Sequence, residues 1–216
     1  TMKDQVARAY LQYQRFDSLF EKSIYLRCLH DTNEDLFYSL VKEHLTEMIP
    51  VIYTPTVGEA VQKYSLEFRR PRGLYIAYPD RYKMVEILKQ RTNKNVDIIV
   101  VSDSQGVLGI GDQGVGGMEI PVAKLMVYTL CAGVRPKNHL PIVLDVGTDN
   151  QKLLDDPLYV GWRNKRVSGD AYYEMMDLFI EAVKEEFPKT FLHWEDFGRD
   201  NAIYNLEKYK EALPSF

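Results

Sequence analysis

The sequence predicts an α/β fold in which a largely parallel sheet has helices on both faces and is preceded by a helical N-terminal region. Apolar residues near the N-terminus recur at helical spacing, and from Gly73 onward β-branched runs alternate with helical segments. No Gly/Ser/Pro-rich linker divides the 216 residues. Alternating strands and helices pair the strands in parallel, because each crossover helix packs on a face of the sheet. We therefore expect a helical region at 1–70 and an α/β region of the same domain at 71–216.

The spacing of apolar residues predicts helices in the N-terminal region. Asn33 can cap a helix that carries Leu36, Phe37, Leu40, Val41 and Leu45 on one face. The short apolar run at 48–52 is predicted to be a buried strand that gives way to the next helix after Tyr53. Tyr53 would then lie at a strand end, which is a common place for catalytic residues.

The rest of the chain alternates between predicted strands and helices. The β-branched run at 96–102 is typical of a buried parallel strand, and Pro188 should end the helix that begins near Asp170. The other predicted strands cover 73–78, 140–145 and 190–194, and the other predicted helices cover 82–89, 118–131 and residues from 201. Ligands of such sheets bind at the carboxyl ends of the strands, which is where we expect Asp103, Asp145, Glu195 and Asp196.

Composition and charge argue against several classes of function. The chain is 45% hydrophobic and 27% charged, and its net charge of −4 is not that of a general nucleic-acid binder. It has no run of 18 apolar residues and begins with polar residues, which argues against a membrane span or a secretory signal. Cys28 and Cys131 lie far apart in sequence and are expected to be buried, reduced thiols. We therefore expect a cytoplasmic protein.

A glycine-rich segment, Gly109–Gly114, matches the G-x-G-x-x-G pattern between a predicted strand and a predicted helix. Taken alone, the pattern indicates a dinucleotide-binding loop. The connection from the strand that ends near Ser102 is longer than usual, and the carboxylate of Asp112 would face a pyrophosphate. A nucleotide loop and a structural turn therefore both remain open from the pattern.

Tyr53 and Lys124 are candidates for proton transfer. A phenol with an ordinary pKa near 10 stays protonated at neutral pH and can act as an acid. Lys124 lies among apolar neighbours on a predicted helix, so its ammonium either extends to solvent or is desolvated, which would lower its pKa toward that of a useful base.

Glu195 and Asp196 are candidates for binding Mg²⁺ or Mn²⁺, because adjacent carboxylates at a strand end can present oxygens to a hard cation. The alternative is structural: one carboxylate caps the next helix and the other meets an arginine. The four histidines show no ligand spacing and are interpreted as surface or packing residues: His30, His44, His139 and His193.

Seven segments occur in the same order as in one protein family. They are Tyr53–Gly58, Phe68–Gly73, Leu108–Gly114, Ile120–Lys124, Leu144–Asn150, Asp156–Tyr159 and Glu195–Phe197. Together they resemble the malic enzymes and their malolactic relatives, which decarboxylate L-malate with NAD(P) and a divalent metal. The resemblance implies the N-terminal domain of an NAD-dependent malate oxidoreductase, with L-malate as substrate.

The resemblance also implies roles for individual residues. Tyr53 would be the general acid that protonates the enol product, and Lys124 would be the general base for the malate hydroxyl. Glu195 and Asp196 would be two ligands of Mn²⁺ or Mg²⁺. The glycine-rich segment would belong to the substrate domain, with NAD bound by a later domain. The family also implies a homodimer or a higher homo-oligomer.

Two features depart from the pattern of malic enzymes. Gly106 stands where these enzymes usually carry an arginine that contacts malate and cofactor, so it is a candidate for cofactor binding by position and not by its side chain. Ser104–Gly109 and Leu192–Gly198 look more like malolactic enzymes, which convert malate to lactate and CO₂. In addition, the family continues past the segment that ends at Phe216 into further metal ligands and the NAD-binding domain. We therefore expect the chain alone to be inactive.

Three hypotheses follow from the sequence. The first is the substrate- and metal-binding domain of an enzyme that decarboxylates malate, with malic and malolactic outcomes both open. The second is a non-catalytic module that binds malate. The third is a nucleotide-binding module that uses Gly109–Gly114.

Overall fold

The computed structural model describes residues 1–68, 70–91 and 93–215. Arg69, Thr92 and Phe216 lie outside the described residues. The segment Phe68–Gly73 is therefore described except for Arg69, and the region 71–216 is described except for Thr92 and Phe216.

Five helices form the N-terminal part of the protein. They are α1 (Met2–Tyr13), α2 (Leu19–Thr32), α3 (Glu34–Glu43), α4 (Leu45–Ile52) and α5 (Thr56–Gln62). Local sequence explains where three of them begin. Thr1 and Ser18 each form a capping box with the acidic residue three positions later, and the Asn33 side chain accepts from the backbone N–H of Leu36, as predicted. Each such cap stabilises a helix by about 1 kcal/mol.

The run at 48–52, predicted as a strand, is instead the end of helix α4. A short apolar run fits a buried helix as well as a buried strand. Here the run is helical, and Met48, Val51 and Ile52 all pack into the N-terminal core. Tyr53 therefore lies in the junction between α4 and α5, and not at the end of a strand.

The sheet is parallel throughout its four strands, as predicted. The strands are β1 (Leu74–Ala77), β2 (Ile98–Ser102), β3 (His139–Asp145) and β4 (Phe191–Trp194), in the spatial order β1-β3-β2-β4. Ile76 lies opposite Leu144, and Val101 lies opposite both Ile142 and Trp194. All five residues of β2 are buried, which explains why its first four residues are all β-branched and apolar.

Helices cover the two faces of the sheet. They are α6 (Met84–Lys89), α7 (Glu119–Ala132), α8 (Gln151–Asp155), α9 (Asp170–Glu186) and α10 (Arg199–Tyr209). Helix α9 packs with α6 and contributes Met176 and Phe179 to the largest apolar core. Helix α7 contacts β2 and β3 and also reaches the N-terminal helices, where Met126 joins their core. The mixed α/β architecture with a helical N-terminal region is therefore confirmed.

Helix α7 is apolar on most of its surface because it lies between the sheet and the N-terminal helices. Within the described residues, segment 114–132 is the one stretch that is long and apolar enough, by length and composition, to cross a membrane. In the fold, 56% of that window is buried, as in a core helix.

The two cysteines were expected to be buried, but Cys28 and Cys131 are both exposed. Cys28 lies on the face of α2 opposite Leu26, and a lone cysteine carries no pattern that reveals its face.

Candidate functional site

Three of the predicted site residues converge from separate parts of the chain. The ammonium nitrogen of Lys124 lies 3.1 Å from Oε1 of Glu195 and 5.1 Å from the centre of the Tyr53 ring. Tyr53 comes from the junction of α4 and α5, Lys124 from the second turn of α7, and Glu195 from the residue after β4. The parallel sheet brings these elements together, because β4 delivers Glu195 to the edge that the α7 helix faces.

The charge on Lys124 is stabilised by its neighbours. Burial opposes the ammonium form, but the Tyr53 hydroxyl and the Glu195 carboxylate outweigh burial and raise the pKa of Lys124. The sequence left open a desolvated lysine with a lowered pKa, and that alternative is wrong for this structure. The physical reason is that the sequence showed the apolar neighbours of Lys124 but not its acidic partner. Lys124 is therefore the cation of an ion pair.

The two adjacent carboxylates have different electrostatic surroundings. Burial works against ionisation of Glu195, but contacts with His193 and Lys124 hold the pKa of Glu195 below its usual value. For Asp196, burial and then repulsion from Glu195 raise the pKa to about 7. Asp196 also has a left-handed backbone with φ of 54°, which is uncommon outside glycine. Asp196 is thus a partly buried carboxylate on which the effect of Lys124 does not offset burial and the repulsion from Glu195.

This pair fits a divalent cation in the type of its donors but not in their number. Carboxylate oxygens are the ligands that Mg²⁺ and Mn²⁺ prefer, and the raised pKa of Asp196 marks a position that a cation would stabilise. In the part of the chain that the structure describes, however, no group of three or more His, Cys, Asp or Glu side chains could hold a metal ion. Glu195 and Asp196 alone therefore do not make a complete metal site among these residues.

Two further residues of this site were missed by sequence reasoning. His193, interpreted as a surface or packing residue, places Nε2 at 2.6 Å from Oε2 of Glu195. The hydroxyl of Tyr128 lies 2.8 Å from Nδ1 of the same ring. One signal was available: His193 and Glu195 are two residues apart at a strand end, so they point to the same side. The contribution of Tyr128 depends on how α7 packs against β4, which no local pattern shows.

Gly106 contributes backbone and not a side chain to the site. Its N–H donates to the carbonyl oxygen of Asp196 at 2.9 Å. A Cβ atom at this position would lie 2.6 Å from the carbonyl oxygen of Phe197, closer than real Cβ atoms come to backbone. The neighbouring residue Gln105 makes a second contact with the segment after β4, because the Asn201 side chain donates to the side-chain oxygen of Gln105 at 3.0 Å. The segment after β2 thus braces the turn that carries Asp196.

The glycine-rich segment is folded onto the chain that follows β3. The Asp112 carboxylate accepts hydrogen bonds from Thr148 at 2.7 Å and from the backbone of Asp149 at 2.9 Å. It also meets the buried guanidinium of Arg166 at 3.0 Å. These contacts hold the pKa of Asp112 below its usual value despite burial. Its side chain is therefore engaged within the protein, as a structural turn requires.

The two other predicted strand-end carboxylates are also engaged internally. Asp103 is buried, accepts from the Tyr172 hydroxyl at 2.9 Å and lies 3.5 Å from Arg166. Asp145 accepts from the backbone of Gly147 and of Trp162. Burial raises the pKa of both carboxyls. Their position at the carboxyl edge was predicted correctly, but their contacts are those of scaffold residues.

The three converging side chains are not among the lining residues of the cavity at the end of β1. That cavity has a volume of about 690 Å³, and Tyr75, Asp145 and Trp162 are among its lining residues. Tyr53, Lys124 and Glu195 do not line it. Lys124 and Glu195 are partly buried, with 24% and 12% of their side chains accessible.

Comparison with known proteins agrees with the order of the motifs. The family model for the malic enzyme N-terminal domain matches residues 30–210. The chain belongs to the malic enzyme family. Among its relatives in that family, a protein named NAD-dependent malic enzyme from Psychrobacter cryohalolentis is 53% identical over all 216 residues. A protein of the same name from Escherichia coli O1:K1 / APEC is 52% identical over the same span. The chain spans 39% and 38% of the lengths of these two malic enzymes.

Proposed function

We propose that this chain is the substrate- and metal-binding part of an NAD-dependent enzyme that oxidatively decarboxylates L-malate to pyruvate and CO₂. The observation that carries the proposal is the convergence of Tyr53, Lys124 and Glu195 in a chain whose relatives are named NAD-dependent malic enzymes. Residues 1–70 and 71–216 would act as one domain. NAD would be bound by a part of the enzyme outside this chain, and a homodimer or higher homo-oligomer stays a prediction.

Tyr53 is proposed as the acid that delivers a proton to carbon after CO₂ leaves. This transfer turns the phenol into a phenolate, which is unfavourable in a partly buried site without a nearby cation. Lys124 provides that cation at 5.1 Å from the ring centre, and it can return a proton to the phenolate. The raised pKa of Lys124 keeps the side chain charged next to the phenolate, and it also makes the ammonium a weaker proton donor. Its second proposed task, accepting the proton of the malate hydroxyl, requires the neutral amine.

Glu195 and Asp196 are proposed as two ligands of Mn²⁺ or Mg²⁺. A divalent cation supplies Lewis-acid chemistry: it draws in the electrons released when a carboxylate leaves as CO₂. The residues of this chain hold the two carboxylates in place. His193 and Lys124 each bind one oxygen of Glu195, and the Gly106 N–H binds the carbonyl oxygen of Asp196. Further ligands would come from the rest of the enzyme.

A second outcome, conversion of malate to lactate and CO₂, is favoured by one observation. At Gly106 no side chain is available to bind a carboxylate, whereas an arginine there would bind one in a bidentate manner. The crowding of Phe197 against Gly106 also leaves no room for a larger residue without movement of the backbone.

Product analysis of the full-length enzyme tests the proposal. The enzyme is supplied with L-malate, NAD and Mn²⁺, and pyruvate, lactate and NADH are measured separately. Pyruvate with an equal amount of NADH supports the malic outcome, and lactate without net NADH supports the malolactic outcome. Both should stop when a chelator removes the metal and resume when Mn²⁺ is added back. Formation of neither product would contradict the proposed function.

A further inference from the structure

Four side chains at the candidate site form a ring in which three side-chain contacts link them and helix α7 joins the two ends. Lys124 binds Oε1 of Glu195 at 3.1 Å, and His193 binds Oε2 at 2.6 Å. His193 in turn contacts the Tyr128 hydroxyl at 2.8 Å through its other ring nitrogen. Lys124 and Tyr128 are four residues apart on α7, so one helix face carries both ends of the ring. His193 and Glu195 are two residues apart where β4 ends.

The ring has a consistent direction of hydrogen bonding. A carboxylate can only accept, so Nε2 of His193 must carry the proton that it donates to Glu195. Nδ1 of a neutral imidazole is then an acceptor, and Tyr128 is the group that donates to it. The Glu195 carboxylate thus selects the tautomer, and the Tyr128 hydroxyl donates to the nitrogen that this tautomer leaves as an acceptor. If that hydroxyl were absent, the imidazole would lose one of the two contacts that hold its orientation.

We propose that His193 and Tyr128 are positioning residues for the carboxylate of Glu195. The proposal rests on the proposed function, in which Glu195 is a metal ligand. A glutamate side chain has three rotatable bonds, and its orientation costs entropy when a cation binds. Here each oxygen is tied to a different element, Oε1 to α7 and Oε2 to the end of β4, before any cation arrives. The carboxylate is therefore preorganised.

The contacts of the imidazole support a positioning role over simple packing. His193 is buried, with 8% of its surface exposed, and in this ring both of its nitrogens lie within hydrogen-bond distance of named side chains. A residue present only to fill space would need neither polar contact. Outer groups of this kind typically change metal affinity by about 10–100-fold when removed.

The test is the Mn²⁺ affinity of the full-length enzyme, measured by electron paramagnetic resonance of free Mn²⁺. His193→Leu and Tyr128→Phe should each weaken Mn²⁺ binding by about tenfold or more, with the larger effect for His193→Leu. His193→Gln should recover most of the affinity, because its amide can still donate to Glu195. Tyr82→Phe, which removes the hydroxyl of an exposed tyrosine bound to Glu174, is the matched control.

Two outcomes distinguish positioning from a general loss of structure. Positioning predicts that the KM for NAD and the thermal midpoint of Tyr128→Phe stay close to those of the Tyr82→Phe control. Mn²⁺ affinity of Tyr128→Phe and His193→Leu equal to that of the control would overturn the inference. Such equal affinities would leave the proposed function standing, provided that the unmodified enzyme is active with Mn²⁺ under the same conditions. If the unmodified enzyme neither binds Mn²⁺ nor converts malate, the proposed function itself fails.

Discussion

Lys124 and Glu195 form an ion pair of 3.1 Å at the carboxyl edge of the sheet, between a helix and a strand that are 71 positions apart along the chain. The pair is only partly exposed, with 24% and 12% of the two side chains accessible. Despite burial, the pKa of Lys124 is raised by Tyr53 and Glu195, and the pKa of Glu195 is lowered by His193 and Lys124. A proposed proton-transfer group and a proposed metal ligand are thereby in direct contact.

Glu195→Gln should remove most of the affinity of the full-length enzyme for Mn²⁺. The substitution keeps the size of the side chain but deletes a charge, and the affinity of hard-cation sites depends on how many charged ligands they have. We expect the Kd for Mn²⁺ to rise by about tenfold or more. Glu185→Gln is the control, because Glu185 makes an exposed ion pair with Lys89 far from the site. Equal affinity in the two variants would remove Glu195 from the metal site.

Gly106→Ala should destabilise the protein, although alanine usually stabilises a chain relative to glycine. The new Cβ would lie 2.6 Å from the carbonyl oxygen of Phe197, and relief requires the turn after β4 to move. Crowding of this kind costs about 1–3 kcal/mol. Gly58→Ala is the matched control, since its Cβ would have no neighbour within 4 Å in helix α5. Chemical denaturation measures both, and equal or greater stability of Gly106→Ala than of Gly58→Ala would refute the close approach.

Sequence reasoning succeeded where the signal was local or periodic. It placed Asp103, Asp145, Glu195 and Asp196 at strand ends because β-branched runs and turns mark where parallel strands stop. It misassigned the segment before Tyr53, because five apolar residues fit a helix and a strand equally well. The family resemblance supplied the candidate roles that position alone left open.

The contacts made by side chains from distant segments could not be predicted in the same way. The raised pKa of Lys124 depends on Glu195, and the contact between Tyr128 and His193 joins residues 65 positions apart. Such partners become neighbours only after α7 has packed against the sheet. Asp112 is the opposite case: it resembled part of a nucleotide loop, but in the fold it binds Arg166 and the segment after β3.

His139 should make the protein less stable in acid. Burial lowers the pKa of His139 from 6.5 to about 4 in the folded state, so between these values the unfolded chain binds more protons than the folded chain. The contribution of His139 to the free energy of unfolding is therefore fully present above pH 6.5. It is lost as the pH drops toward 4, which lowers the free energy of unfolding by roughly 3 kcal/mol at most. Urea denaturation at pH 7 and pH 4.5 measures the change. His139→Gln should reduce the loss, and an unchanged loss in that variant would contradict the assignment.

The most direct test of the account is a rapid-mixing measurement on full-length Tyr53→Phe enzyme with L-malate, NAD and Mn²⁺. If Tyr53 acts only as the acid that protonates carbon, enzyme-bound NADH should still form rapidly in the first turnover. Release of the decarboxylated product should then slow by about 10²–10⁴-fold, the usual contribution of a positioned acid. The malate concentration needed for half-maximal NADH formation should change little. NADH and product that both form at the unmodified rates would contradict a role for Tyr53 in the chemistry.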